Sequence, residues 1–65
     1  MYKTTHFRFR GDLYEIIYSP EGKIIEILLY AGHGQRPEVL HYWKLDVNLR
    51  SLIDDNVVFA MNHDN

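Results

Sequence analysis

Two apolar runs, residues 13–18 and 23–31, flank the tetrapeptide Ser19-Pro20-Glu21-Gly22, and this arrangement constrains the chain more than any other feature. Proline at the second turn position sets φ for a type I turn, and glycine two residues on supplies the left-handed residue of a bulged hairpin. That turn predicts a register: Ser19 near Lys23, Tyr18 with Ile24, Ile16 with Glu26, and Tyr14 with Leu28. One face then holds Tyr14, Ile16, Tyr18, Ile24, Glu26 and Leu28. The other holds Leu13, Glu15, Ile17, Ile25, Ile27 and Leu29. Each face is apolar with one glutamate. An antiparallel hairpin with a wet face alternates apolar and polar residues, so this one calls for cover on both sides. Either the sheet curls on itself or another molecule supplies the second cover.

Around the hairpin the pattern is less regular. Residues 4–10 alternate, with Phe7 and Phe9 on one side and His6, Arg8 and Arg10 on the other, which reads as a half-buried strand. Gly11-Asp12 reads as a turn, and the two glycines and proline of residues 32–37 break any element. Residues 38–47 fit a strand, with Val39, His41, Trp43, Leu45 and Val47 on one face. A helix entered at Pro37 is the alternative. Asn48 is placed to cap a short helix over 49–54, which Asp54 and Asp55 oppose at its C-terminal end and Asn56 stops. Residues 57–61 then read as a last strand, and 62–65 as a frayed end. The expected fold is one domain over 1–65, mainly β (α+β). It is an antiparallel meander of four to five strands in a half-open, SH3-like barrel or roll, with one short helix before the last strand. A flat sheet with one packed helix is the alternative.

Size and charge narrow the function classes. A chain of 65 residues buries only about 60% of its unfolded surface. It has no cysteine, so disulfides, thiolate metal sites and a cysteine nucleophile are excluded. Seven Lys/Arg against nine Asp/Glu give net charge −2, which does not suit a whole-surface nucleic-acid binder. The charge is uneven, however: residues 1–10 carry Lys3, Arg8 and Arg10 with no acid. The N-terminus lacks the apolar core of a signal peptide, and no apolar run is long enough to span a bilayer, so a cytoplasmic location is expected.

Few residues carry legible chemistry. The predicted register puts Glu15 and Glu26 on opposite faces, which precludes an acid–base pair. His6, His33, His41 and His63 lack the spacing of a metal site, so neither metal nor cofactor is expected. Tyrosine, apolar with a polar tip, suits interfaces, and Tyr14, Tyr18, Tyr30 and Tyr42 are the candidate partner-binding residues. Arg8, Arg10, His33 and Arg36 are the candidate anion or nucleic-acid contacts. Gly32 and Gly34 free the backbone of the loop that carries His33 and Arg36.

One stretch resembles a known family. Gly11-Asp-Leu-Tyr-Glu-Ile-Ile-Tyr18, a turn, the second apolar strand and then His33-Gly-Gln-Arg36 are similar to the sheet half of RelE/ParE-type toxins. The likeness covers residues 11–36, and the strand-like residues before it stand where that family has a helical hairpin. It implies that His33 and Arg36 lie near the position used by ribonucleolytic members. From the residues themselves the expectation is different: a small non-enzymatic regulator or inhibitor, of the kind phages and mobile elements encode. It would bind a protein partner, or itself as a homodimer, through a Tyr-rich sheet face or a sheet edge. Nucleic-acid binding, or an RNA-directed role of the RelE/ParE type, is the alternative.

Overall fold

The computed structural model describes residues 1–32 and 36–63. Strands β1 (Lys3–Phe9), β2 (Asp12–Tyr18), β3 (Ile24–Tyr30) and β4 (Glu38–Leu40) form one antiparallel sheet in the order β1-β2-β3-β4. One turn of 3₁₀ helix (Tyr42–Lys44) leads into helix α1 (Val47–His63), which packs on one face of the sheet. The meander is the expected one. Two features differ: the sheet stays open instead of closing into an SH3-like barrel, and the helix follows the strands instead of preceding the last.

Both hairpins follow from their turn residues. Between β1 and β2, Arg10 (φ 53°) and Gly11 (φ 87°) are both left-handed. This is the two-residue loop whose twist matches paired strands, and it moves the turn one residue back from the expected Gly11-Asp12. Between β2 and β3, Gly22 (φ 91°) donates its N–H to the Ser19 carbonyl at 2.9 Å, and the Ser19 N–H donates to the Lys23 carbonyl at 2.8 Å. The Lys23 N–H also donates to Ser19 Oγ at 3.1 Å.

The hairpin starts in the predicted register, with Tyr18 opposite Ile24, and then departs from it. Ile25 is an extra residue on β3, so Ile17 faces Glu26, Ile16 faces Ile27, Glu15 faces Leu28 and Tyr14 faces Leu29. The physical reason is the charge on Glu26. Without the bulge it would share the covered face with Tyr14, Ile16 and Tyr18, and burying an unpaired carboxylate is costly. The bulge turns Glu26 outward and brings Ile27 and Leu29 inward. Tyr14, Ile16, Tyr18, Ile24, Ile27 and Leu29 then share one face, and Glu15 and Glu26 both lie on the other.

The apolar face meets α1. Tyr14, Ile16, Tyr18 and Ile27 from the sheet are buried with Leu49, Ile53 and Val57 from the helix. Phe7 stacks on Tyr14 with ring centroids 5.2 Å apart, and Phe9 meets the same ring edge-on at 6.4 Å.

The region after β3 is where the expected elements change most. β4 ends at Leu40 instead of running to 47, and Trp43 lies in the 3₁₀ turn, exposed, with its ring 4.8 Å from that of His41. Asp46 caps α1, not Asn48: its Oδ1 accepts the Leu49 N–H at 2.9 Å. Asn56 does not stop the helix: it lies within α1, and its side-chain amide donates to the Leu52 carbonyl at 2.8 Å. The expected strand over 57–61 is therefore helix. Leu49, Ile53 and Val57 continue one stripe at four-residue spacing, and tertiary packing overrides the strand preference of Val57, Val58 and Phe59. Asn62 and His63, expected to fray, form the last turn of α1, with His63 Nδ1 2.8 Å from the Phe59 carbonyl oxygen.

Candidate functional site

Helix α1 covers one sheet face, and the opposite face carries the candidate site. Cross-strand pairing arranges it in three rows. Thr4, Ile17 and Glu26 form the first; His6, Glu15, Leu28 and Val39 the second; Arg8, Leu13 and Tyr30 the third. Leu28 has Ile17 and Leu13 as diagonal neighbours on β2, Tyr30 two residues on, and Val39 across on β4. Directly opposite it on β2 lies Glu15. The face thus holds an apolar patch of Leu13, Ile17, Leu28 and Val39, with polar Thr4, His6, Arg8, Glu15, Glu26 and Tyr30 around and within it.

Three of these polar groups are linked. The Tyr30 hydroxyl donates to Glu15 Oε1 at 2.8 Å, and His6 Nε2 lies 3.5 Å from Glu15 Oε2. Three strands are tied together on the outer surface. The hydrogen bond to Glu15 is the main reason that Tyr30 ionises above the usual 10.0, with partial burial and the Glu15 charge adding to it. Tyr42 is held up in the same way by its 2.7 Å bond to Asp54 Oδ2. Tyr14 is raised chiefly by burial, with Asp12 and Asp46 adding and Arg10 opposing.

These shifts have a sign that can be tested. Each of the three tyrosines is neutral when protonated, and its folded pKa lies above the unfolded value of 10.0. Their contribution is complete below pH 10 and is lost as pH rises through the folded values, because the unfolded chain releases its protons first. Stability from urea titrations is therefore expected to fall as pH rises above about 10. Absorbance at the phenolate band should show part of the tyrosine signal titrating late in folded protein and together in urea.

The candidate tyrosines are dispersed. Tyr14 and Tyr18 are buried beneath α1, at 6% and 2% exposure, so neither side chain lies on the open surface. Their face is the one to which the bulge brings Ile27 and Leu29. Tyr30 is half-buried on the open face, and Tyr42 is half-buried in the 3₁₀ turn, bonded to the helix. The four do not form one surface. Glu15 and Glu26, expected on opposite faces, share the open one as diagonal neighbours because Ile25 bulges. Each is paired across the strands with an aliphatic residue, not with the other.

The candidate anion contacts are also only partly joined. Arg8 lines an open cavity of about 370 Å³ with Gly11, Leu13, Tyr30 and Gly32. The Arg10 guanidinium lies 4.9 Å from the centre of the Phe9 ring, and Arg36 is exposed. His33 lies outside the described residues. Among the described residues, no three His, Cys, Asp or Glu side chains converge to hold a metal ion, and no helix is long and apolar enough to cross a membrane.

The sequence reading missed a corner of this surface. Ile25, Glu26, Val39, His41 and Trp43 line a groove of about 250 Å³ beside β4, and Glu26 and Val39 belong to the open face as well. Trp43 is 70% exposed there. No sequence pattern marks it: the groove opens because β4 stops at Leu40, which leaves Ile24, Ile25 and Glu26 without a β4 partner. No family model, no curated protein and no solved structure matches this chain.

Proposed function

We propose that this protein is a small non-enzymatic interaction protein, a regulator or inhibitor, that binds a protein partner or a second copy of itself through the sheet face opposite α1. One observation carries the reading. Leu13, Ile17, Leu28 and Val39 form an apolar patch with no covering element among the described residues, while α1 packs on the other face of the same sheet and buries Tyr14, Ile16, Tyr18 and Ile27. Trp43 extends the surface, and exposed tryptophan is a frequent anchor at interfaces.

Nucleic-acid binding, including an RNA-directed role like that of RelE/ParE-type proteins, is the second reading. The cavity that joins Arg8 to Tyr30 favours it. Glu15 and Glu26 on the same face oppose it, since both repel phosphate.

Leu28→Lys separates these readings. Leu28 is half-buried on the open face, so the expected stability loss is about 1 kcal/mol and the circular dichroism spectrum is retained. Partner capture or self-association, followed by affinity capture and sedimentation velocity, should weaken roughly tenfold or more. An added lysine should instead strengthen retention of labelled RNA at low salt if nucleic acid is the ligand. Association unchanged by Leu28→Lys would remove the open face as the binding surface.

A further inference from the structure

We infer that the free edge of β1 accepts an extended acidic peptide segment as a fifth strand. The inference rests on the protein-binding reading and names the chemistry of one partner. β1 is the outermost strand, seven residues long, and its pairing with β2 runs without a bulge. Exposed edges are usually blunted by shortness, proline, bulges or charge. The other edge, β4, is three residues long. β1 has no proline and no bulge, so charge is what distinguishes it.

That charge has one sign. Residues 1–10 hold Lys3, Arg8 and Arg10, with His6, and no acid. Side chains directly opposite one another on neighbouring strands interact, and opposite charges there are favourable. The chain already shows what β1 accepts on its paired side: β2 sets Glu15 opposite His6 and Tyr14 opposite Phe7. A segment with the same alternation on the free side would put acids beside His6 and Arg8 on the outer face. Its apolar residues would then lie beside Phe7 and Phe9, which are only half-buried. A second copy of β1 fits poorly, because neither strand has an acid to set beside the other's His6 and Arg8. A phosphate backbone fits less well than a peptide. A strand edge presents both N–H donors and C=O acceptors, and phosphate supplies acceptors only.

The test uses the full chain and an end-blocked probe of alternating valine and glutamate, eight residues long. A lysine-for-glutamate version and versions N-methylated at alternate backbone nitrogens are the controls. The expected result is saturable binding of the glutamate probe, with amide shifts in ¹⁵N spectra concentrated in β1. The lysine probe should bind roughly tenfold more weakly, and Arg8→Glu should reverse that preference. Methylation of one alternate set should abolish binding, because it removes the N–H groups that meet β1. Equal binding of both probes, shifts away from β1, or no shifts at all would overturn the inference. So would labelled polyuridine that shifts β1 and is not displaced by the glutamate probe. Because this readout is confined to β1, a silent edge together with partner loss in Leu28→Lys would sink only the edge site, whereas the failure of Leu28→Lys alone would sink only the open-face reading.

Discussion

Replacing Tyr18 by alanine is expected to leave most of the chain unfolded at room temperature. Tyr18 ends β2 with 2% of its surface exposed, in the cluster formed with Ile16, Ile27, Ile53 and Val57. Removing a buried aromatic side chain costs about 3–5 kcal/mol, from lost transfer energy and the cavity left behind. A single core in a domain of 65 residues rarely supplies more than about 3–5 kcal/mol. The loss is therefore comparable with everything the fold has. Far-UV circular dichroism and a urea titration measure it. A variant that kept its melting temperature while losing association would mean that Tyr18 faces a partner after all. The sequence reading placed it there because Tyr14 and Tyr18 share one hairpin face. They do share it, and that face is the inside.

Which face is inside was decided by two residues. The Ser-Pro-Glu-Gly turn is legible by its chemistry alone, and it sets Ser19 near Lys23 and Tyr18 opposite Ile24 as expected. Turn rules end there. Ile25 inserts one residue, and every side chain after it on β3 changes sides. A cue was available in Glu15 and Glu26. With one glutamate on each face, neither face could be closed without burying a carboxylate, and a single bulge sorts both onto one side. Local propensity does not announce such a bulge, because the gain comes from α1 arriving some twenty residues later in the chain. The open face and its Leu28 patch were thus latent in the two-sided hairpin, but their membership was not. The Trp43 groove was harder still. It depends on β4 stopping at Leu40, and alternation from Val39 to Val47 continues past that point without interruption.

The last element offers a sharper comparison, because helix and strand make opposite statements about Phe59. As a strand, residues 57–61 would place Val57 and Phe59 on the same face. As part of α1, Val57 continues the Leu49–Ile53 stripe into the core and Phe59 points away, 62% exposed, stacked on His63 at 3.9 Å. Ile53→Ala is expected to cost about 2–5 kcal/mol, since Ile53 is fully buried and its cavity would sit between helix and sheet. Alanine's better helix propensity recovers only a few tenths of that, by order of magnitude about 0.4 kcal/mol. At Phe59 the same propensity term stands against little lost burial, so Phe59→Ala should change stability by roughly 0.5 kcal/mol or less. A strand that buried Phe59 would make its removal the larger of the two losses, about 3–5 kcal/mol. The ratio of the two effects in parallel urea titrations therefore reads out which element covers the sheet. It also reads out which sheet face α1 takes, because Ile53 and Val57 pack with Tyr14, Ile16 and Tyr18, on the side away from Leu28.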